Sequence, residues 1–245
     1  MQNETVISVS HLYKSYGQKE VLHDLNLKIS RGEVYGLLGA NGAGKSTAIE
    51  CMLGTRKADR GAALLLGESP DKRRKTIFER IGVQFQEARY PDKILVSELC
   101  EETASLYRKP LDYQPLIKQF GLEEKKKSLV AELSGGERQR LFVLLALIPG
   151  PEMVFLDELT TGLDARARRD VWNYLLELKK KGITLFLTSH YMDEVAILCD
   201  RIGILKEGVL IFEGRPQEAV SRSGCDNLEE AYLWFTEGEN TIENI

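Results

Sequence analysis

The sequence predicts an α/β domain built on a largely parallel sheet, and three observations carry that prediction. Short apolar runs recur along the chain with helical segments between several of them, the pattern of parallel strands joined by crossover helices. A glycine-rich segment, Gly39-Ala40-Asn41-Gly42-Ala43-Gly44-Lys45-Ser46, separates one apolar run from a helical pattern. Another run, 153–156, ends in the adjacent carboxylates Asp157 and Glu158.

The elements follow in order. Val6, Ile7 and Val9, then Leu25, Leu27 and Ile29 in alternation, predict antiparallel strands ahead of the glycine-rich loop. Residues 34–38 read as a buried strand and 47–53 as a helix. Further strands are expected near 63–66, 81–85, 153–156, 183–187, 202–205 and 209–212. The stretch 87–133 is polar and helical in pattern, with Ser97 as the expected N-cap of a helix. It reads as a helical subdomain, about 87–149, inserted in a main domain of 1–220. A C-terminal helix and acidic tail are expected over 221–245, frayed from about Thr236.

Bulk properties set limits. A chain of 245 residues with 43% apolar content can bury a substantial core. The net charge of −4, from 33 basic and 37 acidic residues, offers no broad field for nucleic acid. Lys125–Lys127 and Lys179–Lys181 read as solvated helix ends or loops. The start, Met1-Gln2-Asn3-Glu4, lacks the pattern of a signal peptide. Its longest apolar stretch, Leu141 to Ile148 before Pro149, is far short of a membrane span. Cys51, Cys100, Cys199 and Cys225 show no metal-ligand spacing and read as reduced thiols, most of them buried. A soluble cytoplasmic protein is expected.

The glycine-rich segment carries the first chemistry. A loop running from a strand into a helix leaves backbone N–H groups at the positive end of that helix, where they can cradle an anion. Its glycines let the backbone approach phosphate oxygens closely. Lys45 supplies a charge for the β- and γ-phosphates, and Ser46 a hydroxyl for Mg²⁺. The pattern is that of a P-loop, and a nucleoside triphosphate is the expected ligand.

Asp157 and Glu158 belong at the C-terminal edge of their strand, where ligands of parallel sheets bind. Neighbouring side chains of a strand point to opposite sides, so the two are expected to do different work. Asp157 suits Mg²⁺; Glu158 suits a water to be polarised toward the γ-phosphate. The alternative is a pair that merely caps the next helix. Leu133-Ser134-Gly135-Gly136-Glu137 opens a helix with Leu141, Leu144, Leu145 and Ile148 on its apolar face. Ser134 and Glu137 form a capping box. Two successive glycines weaken a helix start unless something approaches the backbone closely, so a second anion site without a lysine is expected.

In this order, the phosphate loop, Leu133-Ser134-Gly135-Gly136-Glu137, Leu156-Asp157-Glu158 and Thr188-Ser189-His190 resemble the nucleotide-binding domain of an ABC transporter. The resemblance spans about 7–216, and the Leu-Ser-Gly-Gly signature is its specific part. It implies an ABC-type ATPase core that binds ATP and Mg²⁺ through Gly39 to Ser46 and Thr47. It also implies Tyr16 as the aromatic on adenine, with Tyr13 as competitor, and Gln86 as sensor of Mg²⁺ and water, with Gln84 as competitor. His190 fits a contact to the γ-phosphate, and Asp164, in Gly162-Leu163-Asp164, fits the loop that touches a partner. Ser134, Gly135, Gly136 and Glu137 would cover ATP held by a second copy or paralogue, in a head-to-tail pair. Integral-membrane permease subunits would dock near Gln86 and the helical subdomain, with Tyr90 and Leu95 as apolar anchors, placing the protein on the inner face of the membrane. Leu159 stands where the family usually has proline, which would stiffen the turn.

Thr188–Glu194 and Leu198–Ile202 resemble the drug, antibiotic and polysaccharide exporter branch. The competing reading is a soluble ABC ATPase, such as an iron–sulfur assembly protein. Chromosome-type ATPases need long heptads and translation types carry two cassettes, and neither feature is present. No Asn-Lys-x-Asp motif supports a GTPase, and the signature argues against a small-molecule kinase.

Overall fold

A computed structural model describes residues 4–85, 90–91, 93–160 and 162–238. The chain forms two compact units, Met1–Ile77 with Phe186–Ile245, and Phe78–Leu185. In chain order the elements begin with β1 (Thr5–Tyr16), β2 (Lys19–Ser30), β3 (Val34–Leu38), α1 (Lys45–Met52) and β4 (Arg60–Leu65). Next come α2 (Pro70–Phe78), β5 (Ile81–Gln84), α3 (Val96–Ser105), α4 (Tyr113–Gln119), α5 (Gly135–Leu147) and β6 (Met153–Asp157). The remainder is α6 (Ala165–Lys180), β7 (Thr184–Ser189), α7 (Met192–Leu198), β8 (Arg201–Lys206), β9 (Val209–Gly214), α8 (Pro216–Ser223) and α9 (Leu228–Glu237).

In the first unit, β1 pairs antiparallel with both β2 and β4. Alternation places Leu25, Leu27 and Ile29 of β2 in the core. The central strand β3 is buried throughout and pairs in parallel with β8, Tyr35 opposite Arg201 and Leu38 opposite Ile204. A strand covered on both faces reads as one apolar run, as 34–38 does. Asp200 fixes the start of this pairing: its carboxylate accepts from the Val34 amide at 3.0 Å and its own amide donates to the Val34 carbonyl at 2.8 Å. Arg201 then pairs with Glu33 at 3.0 Å and Glu213 at 2.7 Å.

In the second unit, β5 pairs in parallel with β6, Ile81 opposite Met153 and Gln84 opposite Leu156. Helix α5 packs on β5 so closely that a Cβ on Gly82 would lie 2.0 Å from the Ala146 carbonyl oxygen. Residues 141–148 are buried all round, so the apolar face expected of α5 is a whole buried segment. Phe120 stacks on Tyr174 at 4.5 Å between ring centroids.

Three expectations need correction. Ser97 lies inside α3; the N-cap is Leu95, whose amide donates to Glu98 at 2.9 Å, so Glu98 stabilises an earlier start. Thr236 is helical, its hydroxyl donating to the Tyr232 carbonyl at 2.8 Å; residues 239–245 lie outside the described residues. Helix α1 begins at Lys45 instead of 47, because the phosphate loop runs straight into its first turn. The lysine runs fall at a short turn and the end of α6, and Cys51, Cys100 and Cys199 are buried. Burial pushes the thiols of Cys51 and Cys100 up to about 11 and about 12. Among the described residues no helix is long and apolar enough to cross a membrane.

Candidate functional site

The phosphate loop lies in the first unit. Its shape is imposed by contacts that only small or left-handed residues permit. Gly44 has φ +109 and precedes α1 with the Val21 carbonyl oxygen 2.9 Å from where a Cβ would sit. Such a backbone excludes most L-residues. The side chain of Lys45 is buried, 4% exposed, and its ammonium donates to the carbonyls of Gly39 at 2.8 Å and Ala40 at 3.3 Å. One cation thereby holds the entrance of the loop to its exit. No side chain caps α1 and no acidic residue lies in its first turn, so neither local device that offsets the positive end of a helix is used there. Gly208, in the β8–β9 turn, adds a brace the sequence did not single out: its amide donates to the Ala43 carbonyl at 3.0 Å. A cavity of about 410 Å³ lies beside the loop, bordered by Ala40–Ala43, Leu205–Glu207 and Tyr232, Thr236 and Glu237 of α9.

Tyr16 ends β1 and is 41% exposed. Arg56 lies 5.2 Å from its ring centroid and Lys14 5.6 Å, and Arg56 is tied to Glu50 of α1 at 2.6 Å. The competitor Tyr13 carries Arg60 at only 4.0 Å from its ring. Tyr16 is the more open platform. His190 follows β7 and is exposed, with the Tyr191 ring 4.2 Å away. The turn that presents it is built by Ser189, whose hydroxyl donates to the buried Glu194 at 2.5 Å and accepts from the Tyr191 amide at 3.0 Å. Glu194 was not marked by the sequence reading, although its spacing from Ser189 at a helix start was visible there.

The other candidates lie in the second unit. Asp157 is the last residue of β6 and is 3% exposed. Glu158 has already left the strand, with φ +48, so strand alternation does not set its direction; a left-handed backbone does. Leu159, which stands where the family usually has proline, is buried. A proline at 159 would drive residue 158 toward extended backbone, away from the conformation Glu158 adopts.

Ser134 caps α5: its hydroxyl accepts from the Glu137 amide at 3.3 Å, and Glu137 accepts from the Ser134 amide at 2.9 Å. That amide, with the Lys125 ammonium 3.3 Å away, holds the Glu137 carboxyl below its ordinary range. Asp164 caps α6, accepting from the amides of Arg166 and Ala167, both at 2.9 Å. The structure therefore brings Ser134, Gly135, Gly136 and Asp164 together, around a cavity of about 450 Å³ that Arg140 and Arg166 also line. Gln86 lies outside the described residues. Gln84 is buried, its amide nitrogen donating to the Phe85 carbonyl at 2.7 Å. Tyr90 packs on Phe142 at 5.4 Å and Leu95 bridges to Leu129, so both make contacts inside their own unit.

Residues 22–161 match the family model described as ABC transporter. The chain belongs to the ABC transporter family. It is similar, at 39% identity over 93% of this chain and 68% of the relative, to the Nod factor export ATP-binding protein I of Sinorhizobium fredii (strain NBRC 101917 / NGR234). The protein of that name from Paraburkholderia xenovorans (strain LB400) is 37% identical over 92% of this chain and 76% of its own length. Among solved structures, an ATP-binding subunit of an ABC transporter aligns with a TM-score of 0.85 at 27% identity, covering 94% of this chain and 99% of the other. A dimeric bacterial ABC transporter cassette shares the fold, with a TM-score of 0.76 at 24% identity, over 85% and 98% of the two chains. The chain is thus the ATP-binding, ATP-hydrolysing subunit of a transporter, and the P-loop α/β fold expected from the sequence is the one observed. The assembly-ATPase alternative gains no support from these relatives.

Proposed function

We propose that this ATPase drives export, working as a head-to-tail pair bound to membrane permease subunits on their cytoplasmic side. The observation that carries the pairing is the division of labour between its two glycine-rich helix starts. One has its own buried lysine; the other offers Ser134 and Gly135 at the edge of a cavity with no lysine. The second would cover a triphosphate gripped by the first unit of another copy. The export direction rests on the names of the relatives, which align over nearly the whole chain.

In this reading Lys45 offsets charge on the β- and γ-phosphates and Tyr16 stacks on adenine. The hydroxyl of Ser46 and the carboxylate of Asp157 are hard oxygen donors, and such donors fit Mg²⁺. When bound, that ion would neutralise phosphate charge. Glu158 accepts a hydrogen bond from the attacking water, turning its lone pair toward the γ-phosphate, and His190 holds a γ-phosphate oxygen. Gln86 is assigned the sensing role on motif grounds. ATP and water give ADP and phosphate, and loss of the shared triphosphate opens the pair. Permease docking is assigned to the surface of the helical segment that begins at α3.

Glu158→Gln tests the chemistry and the pairing together. Its hydrolysis rate should fall by about 10²–10³-fold with ATP affinity retained, since the variant keeps the shape but not the charge. Sedimentation should show an ATP-dependent dimer. Turnover like the natural protein's would remove Glu158 from the mechanism. A variant monomeric at all ATP concentrations would remove the pairing. Affinity capture from detergent-solubilised membranes should recover a polytopic protein, and recovery of soluble partners alone would overturn the transport assignment.

A further inference from the structure

Three runs of three or more consecutive lysines and arginines stand out in a chain whose net charge is −4. Two of them have carboxylates at hand: Lys125 lies 3.3 Å from Glu137, and Lys180 lies 2.7 Å from Glu177. The third, Lys72-Arg73-Arg74-Lys75, fills the middle of α2. Among the described residues Lys72, Arg73 and Lys75 make no ion pair. Pro70 and Ile77 are buried and pin the two ends of the helix, while the residues between them, Asp71 to Thr76, are all exposed. In a regular helix Arg73 and Arg74, three and four positions after Pro70, would share its buried face. The backbone leaves helical geometry at Arg73, with φ −126, and both side chains are exposed. The start of α2 is fixed against the turn after α1, where a Cβ on Gly54 would lie 3.0 Å from the Pro70 side chain. Lys72 and Lys75, three positions apart, repel each other, and the only carboxylate in the exposed stretch is Asp71.

From this we infer that the exposed side of α2 is a docking surface for an anionic membrane leaflet. A transporter subunit works beside a membrane, and a leaflet carrying anionic headgroups offers the opposite charge over an area far wider than one helix. The stretch Asp71 to Thr76 holds no apolar side chain, so the contact is one of charge at the headgroups, without insertion into hydrocarbon. The rest of the chain is more negative than its total of −4, so such a leaflet repels it and turns α2 toward the lipid. The inference deepens the proposed seat on permease subunits: α2 would hold the chain to the leaflet through lipid, independently of any contact with the permease.

Cosedimentation of the full chain with lipid vesicles tests it, using phosphatidylcholine with about one-third phosphatidylglycerol at low salt. The chain should bind these vesicles, bind pure phosphatidylcholine at least about tenfold more weakly, and be released near 1 M salt, where the screening length is about 3 Å. Lys72→Gln/Arg73→Gln/Lys75→Gln should lower the partition at least about tenfold, since each cation near an anionic surface contributes about fivefold. Arg74 is kept because it makes a further interaction within the fold. Glutamine matches lysine and arginine in helix propensity, so ATP affinity and the thermal midpoint should stay those of the natural chain. Lys179→Gln/Lys180→Gln/Lys181→Gln removes as many cations elsewhere and should stay within about threefold in partition if location decides and not total charge.

No binding to the anionic vesicles, equal binding to the neutral ones, or an equal loss in both triple variants would overturn the inference. Binding to heparin without binding to vesicles would overturn it too, and would give the patch to a nucleic acid. The permease reading fails separately. Vesicle binding with no permease recovered from solubilised membranes keeps the assignment of α2 and removes the permease contact. Recovery of a permease by a chain that binds no vesicles does the reverse.

Discussion

Helix α1 starts from Gly44 with no side-chain cap and no acidic residue in its first turn, whereas α5 starts from Ser134 with its capping box closed by Glu137. Both starts look alike in sequence, as glycines ahead of a helix. Electrically they differ. The first leaves its amides uncapped by its own side chains and adds the buried ammonium of Lys45, so it suits a multiply charged phosphate. The second has spent two of its orphan groups on its own side chains and carries a carboxylate held ionised by the Ser134 amide. A glycine-rich helix start is therefore not one kind of site. What the first turn does with its amides decides whether they remain for a ligand or are taken up by its own side chains.

The largest break in that comparison should come from Lys45→Ala. It removes both the charge and the ties to Gly39 and Ala40, so calorimetry should show ATP affinity lowered by at least about 10²-fold, the scale of truncating a buried charge partner. ATP binding near the natural affinity would make the loop's backbone sufficient by itself. Tyr16→Ala should weaken ATP by about 1–3 kcal/mol, the measured worth of base–aromatic stacking. An unchanged constant, measured with a fluorescent adenine nucleotide, would move the base elsewhere.

Ser134→Ala probes the second start and should act differently. Monomer affinity for ATP should hold, while stability to urea falls by about 0.5–2 kcal/mol, the range for a lost N-cap. A fall in monomer affinity instead would erase the distinction between the two loops. The smallest effect is one of pH. The Glu137 carboxyl is lowered in the fold from its ordinary 4.5, so its contribution is complete above that value and is lost as pH falls below it. Thermal midpoints of the natural chain and Glu137→Gln should therefore converge below about pH 4.5, and parallel curves would show that the carboxylate adds nothing.

Much of this was legible along the chain because it depends on near neighbours. The Ser134–Glu137 box spans a single turn, and the alternation of β2 needs no more than its own residues. Other parts of the second unit resisted for the opposite reason. Glu98 reaching back to the Leu95 amide is local, but the bridge of Leu95 to Leu129, which holds the chain at that start, is not. Glu158 defeated the rule of alternating strand side chains because its φ of +48 belongs to a turn anchored by the buried Leu159.

By itself the sequence determined that this chain grips a triphosphate and which family it resembles. Those readings rest on residue types at short fixed spacings: glycines that free the backbone, a lysine at the helix start, carboxylates at a strand end. Only the tertiary structure decided that Lys45 laces its own loop together and that Gly208 braces Ala43 from a distant hairpin. The physical reason is range. Backbone conformation and capping are written within a few residues, whereas close packing depends on which surfaces the fold presses together. No spacing within one segment encodes a contact made by another.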